Sequence, residues 1–253
     1  MARNAVMLCG HGSRDGEAIA EFERLTQGLA AMLPDSDVER GSLEFAAPTI
    51  SDGLETLRRR GHRRIAAVPV LLSAAGHIKR DIPRLLKAFA TENPSVELRF
   101  GRELDFDPRL LDAAEERIEA AEAQAGAIRA RDETVLLVIG RGVQDETIND
   151  RIASMAILLQ QRMGFAAGFT AYSGVASPLA EPELRRIAKS GFLRIVVFPY
   201  FLFTGVLVKR ISAAVERAAT EIPQVEFVVA RHFGDHALVL DCLADRVRET
   251  VAP

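Results

Sequence analysis

The stretch Leu8-Cys9-Gly10-His11-Gly12-Ser13-Arg14-Asp15 separates a short apolar run from a helical pattern. Residues 5–9 are predicted to form a buried strand, and residues 17–33 repeat apolar side chains at helical spacing. The two glycines that flank His11 allow a tight turn between these elements. In open α/β sheets, ligands bind in the crevice beyond the carboxyl ends of the strands. His11 is therefore a candidate for chemistry, and the alternative is a structural histidine that only makes hydrogen bonds.

Strands and helices alternate through the first half of the chain. The predicted strands are 5–9, 38–45, 65–72 and 96–100, and the predicted helices are 17–33, 49–60, 78–91 and one that begins at Pro108. Repeated strand–helix–strand units joined by short turns predict a mainly parallel sheet with helices on both faces. Residues 121–133 show no strand pattern, which indicates the end of a helix and a link into a second domain.

The second half of the chain repeats the first at an offset of 130 residues. The offset pairs Gly10 with Gly140, Gly12 with Gly142, Asp15 with Asp145, Pro48 with Pro178, Gly61 with Gly191, Pro69 with Pro199, and Lys79-Arg80 with Lys209-Arg210. Glycine and proline fix turns and strand ends, so their recurrence indicates two copies of one α/β domain. The predicted domains are 1–124 and 134–253.

Three polar positions do not recur in the second copy. His11 becomes Arg141, Glu44 becomes Gly174, and His77 becomes Leu207. Residues that only the fold requires should appear in both copies, whereas residues of a single active site need not. In the first copy all three lie at or just after predicted strand ends, so we expect them to converge at one edge of the sheet. Two imidazoles and a carboxylate suit a divalent first-row metal ion and leave positions open for exchange.

A basic pair follows the second histidine. Lys79 and Arg80 begin a predicted helix, where backbone N–H groups and the helix dipole already favour anions. A substrate with several carboxylates would be attracted there. The alternative is that both residues pair with Asp81 or with other nearby acids, and their recurrence as Lys209 and Arg210 fits either interpretation.

Several motifs together resemble a known family, the sirohydrochlorin chelatases of the CbiX and SirB type. They are Gly-His-Gly-Ser-Arg-Asp at 10–15, Leu43-Glu44 before Pro48, Val68-Pro69, and Gly76-His77-Ile78-Lys79-Arg80-Asp81. The resemblance covers nearly the whole chain. It implies an α/β class II chelatase fold with two tandem domains and a cleft between them, each domain a mainly parallel four-stranded sheet with helices on both faces. It also implies ATP-independent insertion of Co²⁺ or Fe²⁺ into sirohydrochlorin.

The resemblance assigns roles to residues by motif. The implied catalytic residues are His11, His77 and Glu44, with the two histidines as metal ligands. Glu44 could orient an imidazole, complete the ligand set or accept a proton, and these alternatives stay open. Because sirohydrochlorin carries many carboxylates, Arg14, Lys79 and Arg80 are candidate anchors for the substrate, and Ser13 is a candidate hydrogen-bond donor. The second copy is expected to carry no working metal site.

The family implies a place in cobalamin or siroheme biosynthesis, and we favour a cobaltochelatase over a ferrochelatase, with Ni²⁺ as a further metal in vitro. The sequence has no histidine-rich tract or cysteine cluster, so we expect no iron–sulfur cluster. One alternative is a carrier that holds a tetrapyrrole or metal without catalysis. Another is phosphoryl transfer through a phosphohistidine, but enzymes of that kind place Arg directly before the histidine, where this chain has Gly10.

Composition narrows the class of protein further. The 253 residues are 48% hydrophobic and 26% charged with a net charge of -3, which argues against nucleic acid as a partner. No apolar run approaches the ~18 residues of a membrane span and no signal peptide is evident, so a cytoplasmic enzyme is expected. Cys9 and Cys242 lie too far apart for a metal or redox motif and are predicted to be buried thiols. Two lobes that mimic a dimer favour a monomeric chain.

Overall fold

The computed structural model describes residues 3–73, 78–126 and 129–252. In the first half the elements are β1 (Asn4–Gly10), α1 (Gly16–Met32), β2 (Ser36–Ser42), α2 (Ile50–Arg59), β3 (Arg64–Pro69), α3 (Ile78–Glu92), β4 (Glu97–Phe100) and α4 (Pro108–Ala125). All eight correspond to predicted elements. The second strand was predicted to reach Phe45, which is wrong, because its ladder ends at Ser42. Beyond that point the backbone bonds to the neighbouring β1 loop, so Glu44 lies in a loop.

The first sheet has the strand order β2-β1-β3-β4, and every pair is parallel. The strand β1 is buried on both faces, as expected for a parallel sheet covered by helices. On one face Met7 and Cys9 join a core cluster with apolar residues of α2 and α3. The predicted parallel sheet is confirmed, and its parallel strands place the loops after β1, β2 and β3 at one edge.

The second half repeats this arrangement. Its elements are β5 (Thr134–Gly140), α5 (Glu146–Met163), β6 (Ala167–Tyr172), α6 (Ala180–Ala188), β7 (Arg194–Pro199), α7 (Val206–Glu221), β8 (Glu226–Val229) and α8 (Ala237–Val251). The strand order is β6-β5-β7-β8, again with parallel pairs. Over the described residues the chain is thus an α/β protein with two four-stranded parallel sheets of the same topology.

The last helix of each half packs on the sheet of the other half. The helix α4 packs on β7, β8 and α5, whereas α8 packs on β3, β4 and α1. The compact units are accordingly residues 1–107 with 234–253, and residues 108–233. The domains 1–124 and 134–253 describe the sequence repeat and stay a prediction. The compact units differ from them, because α4 packs with the second unit and α8 with the first.

A buried arginine fixes α8 to the first unit. Arg246 is 2% exposed, and its guanidinium lies 2.9 Å from the Asp107 carboxylate. It also donates to the backbone carbonyls of Glu103 and Leu104, both at 3.0 Å. Because a buried charge is stable only when it is paired and hydrogen-bonded, these contacts explain why α8 belongs with the loop after β4. Within the described residues, no helix is both long and apolar enough to span a bilayer.

Candidate active site

The loop after β1 is held by the start of α1. Asp15 caps this helix, because its carboxylate accepts the amide of Glu17 at 3.0 Å. The Ser13 hydroxyl oxygen accepts the amide of Asp15 at 3.0 Å and keeps its own proton available to donate. His11 therefore lies in a loop fixed at both ends, by a buried strand and by a capped helix.

One imidazole nitrogen of His11 lies beside a backbone carbonyl. The side chain is half-buried, and its Nδ1 lies 3.1 Å from the carbonyl oxygen of Gly12. A carbonyl oxygen only accepts hydrogen bonds, so this contact places the proton on Nδ1. In the neutral form of this tautomer the Nε2 atom carries the lone pair, which can bind a metal ion or accept a proton.

The loop after β2 lies directly against the His11 loop. The Leu43 amide donates to the Gly10 carbonyl at 2.9 Å, and the Glu44 amide donates to the His11 carbonyl at 3.0 Å. Gly12 makes this approach possible: its φ is +94°, and a Cβ there would overlap the Glu44 carbonyl oxygen. The structure therefore brings His11 and half-buried Glu44 together on adjoining loops, through their backbones.

Phe45 is a neighbour of His11 that the sequence analysis missed. Its φ of 67° is left-handed, a conformation that costs a bulky residue about 1–2 kcal/mol. The ring is 52% exposed and stacks on the His11 imidazole, with centroids 6.0 Å apart and planes at 28°. The guanidinium carbon of Arg14 lies 4.9 Å from the Phe45 ring centroid. The replacement of Phe45 by Val175 in the second copy is the signal that could have revealed it.

The loop after β3 begins beside the other two. Its Val70 amide donates to the Cys9 carbonyl at 2.9 Å. His77 lies outside the described residues, as does the side chain of Lys79 in the first turn of α3. Arg80 is exposed in the same turn. Among the residues that the structure describes, no group of three or more His, Cys, Asp or Glu side chains is placed to hold a metal ion, and this set lacks His77.

The corresponding loops of the second half pair in the same way without the candidate ligands. The Ser173 amide donates to the Gly140 carbonyl at 3.0 Å, as Leu43 does to Gly10. Arg141 is exposed at the His11 position. A Cβ at Gly174 would lie 2.8 Å from the Gly142 carbonyl oxygen, so the crossing of the loops leaves no room for a side chain there.

Other ionisable side chains have structural environments. The imidazole of His236 caps α8 by accepting the Leu238 amide at 3.3 Å, and His62 lies 3.0 Å from the Asp37 carboxylate. Both cysteines are buried as predicted. Burial raises the pKa of Cys9 to about 12, so its thiol stays protonated at neutral pH and is a poor metal ligand.

Surface grooves lie away from the loops described above. A groove of about 550 Å³ is lined by residues of α2 and α3, and another of about 470 Å³ lies near the ends of α6 and α7. Neither is lined by a candidate site residue. The edge of the first sheet with the loops after β1 and β2 is the better candidate site, because it holds polar groups that differ between the two copies.

Comparison with known proteins identifies similar sequences and structures. The CbiX family model matches residues 5–121 and 135–250. A sirohydrochlorin cobaltochelatase of Priestia megaterium is 31% identical over 250 residues, which cover 97% of this chain and 79% of that protein. A sirohydrochlorin ferrochelatase of the same species is 31% identical over 249 residues, with coverages of 97% and 90%. The structure of SirB from Bacillus subtilis with Fe³⁺ has a TM-score of 0.84 at 28% identity, with coverages of 99% and 96%.

Proposed function

This chain belongs to the CbiX family, and from that membership we propose that it is a chelatase that inserts a divalent metal ion into sirohydrochlorin. The observation that carries the proposal is the pairing of the His11 loop with the Glu44 loop, joined by the 3.0 Å hydrogen bond between their backbones. The second copy keeps the loop pairing but has Arg141 and Gly174 in these places. Metal chemistry therefore belongs to the first copy.

The residues of this edge suit the chemistry of insertion. A divalent ion that enters a tetrapyrrole must lose bound water, and the macrocycle must lose two N–H protons. A neutral His11 with its proton on Nδ1 can use Nε2 to bind the ion or to accept one of these protons. We assign Glu44 as a second acceptor or ligand, and His77, which precedes α3 in the sequence, as the second imidazole ligand. Two histidines and a carboxylate leave coordination positions open, whereas four thiolates would close the site. The metal ion can therefore pass to the macrocycle, and the product can leave.

Substrate binding is assigned to polar groups of the same edge. The carboxylates of sirohydrochlorin would be attracted to Arg14 and Arg80, which are both exposed. Lys79 adds a third positive charge in the first turn of α3, where the helix dipole also favours anions. The hydroxyl proton of Ser13 is available to a substrate carboxylate. Because Arg14 follows His11 in the β1 loop and Lys79 and Arg80 lie in the first turn of α3, we propose that these groups anchor the macrocycle.

For the metal, we propose Co²⁺ as the physiological ion, with Ni²⁺ accepted in vitro. The two Priestia megaterium relatives are equally similar to this chain and are named for different metals. The test is anaerobic insertion with equimolar Co²⁺ and Fe²⁺, followed by absorbance of the two products. A cobalt product in excess supports the assignment, and an iron product in excess makes the chain a ferrochelatase.

The reaction is further proposed to need neither ATP nor an iron–sulfur cluster and to occur in a monomer. Removal of ATP should leave the rate unchanged, and the mass in solution should be that of one 27.6 kDa chain. A non-catalytic carrier would bind sirohydrochlorin or metal but release no metallated product. Many turnovers per protein therefore distinguish an enzyme from a carrier.

Paired variants of the two copies test the assigned residues. We expect His11→Ala and His77→Ala to lower insertion by orders of magnitude, because each removes a ligand. The matched variants Arg141→Ala and Leu207→Ala should keep most of the activity, because the second copy holds no metal. Circular dichroism confirms that each variant is folded. Normal insertion by either histidine variant would refute the proposed site.

A further inference from the structure

Phe45 combines a strained backbone with an exposed ring. It is the central residue of a three-residue turn, which the Ala46 amide closes by donating to the Glu44 carbonyl at 2.8 Å. Its left-handed φ of 67° is disfavoured for an aromatic residue, and half of the ring is exposed. Among the described residues, Asp105 is the one other non-glycine residue with a positive φ. When a structure holds a residue in such a conformation, the contacts that this permits point to a functional role.

The contacts of the Phe45 ring are with groups of the proposed site. The ring lies against the His11 imidazole, with centroids 6.0 Å apart, and the Arg14 guanidinium packs over the same ring at 4.9 Å. The carbonyl of Gly12 fixes the Nδ1 side of the imidazole at 3.1 Å. The hydrogen bond fixes the position of one nitrogen, and the stacked neighbour restricts the plane of the ring. Together the two contacts define where Nε2 points.

We propose that Phe45 is a positioning residue of the chelatase: its ring, backed by Arg14, holds the His11 imidazole in the plane from which Nε2 meets the metal ion. This inference rests on the proposed function. The second copy supports it, because the position of His11 is taken by Arg141 and that of Phe45 by Val175. Val175 does not have a left-handed φ and is 73% exposed. The aromatic ring is thus present in the copy that has the histidine and absent from the copy that lacks it.

The test separates positioning from stability. Phe45→Gly relieves the left-handed backbone, which offsets part of the loss of the half-buried ring, so the variant should remain folded. Its kcat for metal insertion should nevertheless fall roughly three- to tenfold, the size expected for the loss of one aromatic contact, with KM for sirohydrochlorin unchanged. Phe45→Tyr keeps the ring and should restore the rate. Val175→Gly, the matched change in the second copy, should insert metal normally.

A measurement without substrate keeps the inference independent of the reaction. The chain has five histidines, so the imidazole proton resonances of His11 can be assigned by comparison with His11→Ala. Loss of the ring current should shift them in Phe45→Leu and not in Val175→Gly. If the wild type inserts no metal while the shift is present, the proposed function fails and the contact stands. An unshifted His11 resonance, a wild-type kcat in Phe45→Gly, or a rise in KM alone would each overturn the positioning role.

Discussion

The contact between the loops after β1 and β2 can be tested with Gly12→Ala. A Cβ at this position would lie 2.9 Å from the Glu44 carbonyl carbon and from Ser42 Cβ, and would overlap the Glu44 carbonyl oxygen. Ordinary Cβ contacts begin at 3.4 Å, and the Glu44 carbonyl oxygen lies nearer than the two atoms at 2.9 Å, so the β2 loop must retreat by more than about 0.5 Å. The retreat strains or breaks the 3.0 Å hydrogen bond between Glu44 and His11.

The loss of stability has two parts. An alanine at φ +94° costs about 1–2 kcal/mol, and displacing a packed loop adds about 1–3 kcal/mol. Gly61→Ala isolates the first part, because Gly61 has the same φ of +94° with nothing within 4 Å of its Cβ position. Urea unfolding should therefore place Gly12→Ala about 1–3 kcal/mol below Gly61→Ala in free energy of unfolding.

The rate of metal insertion by Gly12→Ala should fall by a larger factor than its stability suggests. Misplacing a reacting group by about 1 Å can lower a rate about 100-fold, so Gly12→Ala should lose most of its metal insertion while it remains folded. Gly142→Ala crowds the second copy instead, with a Cβ 2.5 Å from Tyr172 Cβ, and should be destabilised yet still active. Equal free energies of unfolding for Gly12→Ala and Gly61→Ala, or a wild-type insertion rate in Gly12→Ala, would refute the close contact between Gly12 and the β2 loop.

Three further predictions concern the cysteine, the buried arginine and the stoichiometry. Because burial raises the pKa of Cys9 to about 12, a thiol reagent at pH 8 should label it only after unfolding, as mass spectrometry of the labelled peptide can show. Arg246→Ala should lower the free energy of unfolding in urea by about 3–5 kcal/mol, because it leaves the buried Asp107 carboxylate without this charged partner. Replacement of the exposed Arg248 by Ala should lower it by less than about 1 kcal/mol. Calorimetric titration with metallated product should saturate at one macrocycle per chain, and two equivalent sites would contradict a single metal site.

Local patterns in the sequence were enough to predict the elements and their parallel arrangement. Short apolar runs and helical spacing depend on residues close in the chain, and glycines and prolines mark the turns between them. The position of His11 at a strand end followed from the same patterns. The 130-residue repeat allowed the two copies to be compared position by position. Glu44 and His77 do not recur in the second copy, which distinguishes them from residues that the fold requires. These inferences needed no knowledge of distant contacts.

The tertiary structure decided what depends on residues far apart in the chain. The helices α4 and α8 both show an apolar face in the sequence, and this pattern does not say which sheet each helix covers. The contacts of α8 with the first unit, among them the buried Arg246 beside Asp107 and Glu249 beside Arg102, decide where α8 packs. Likewise, the sequence pattern places Phe45 at the end of the second strand. In the structure, the amide of Glu44 donates to the His11 carbonyl instead. That bond ends the strand, and the next residue takes up a left-handed backbone against His11, because packing between distant segments overrides the local preference of an aromatic residue for strand geometry.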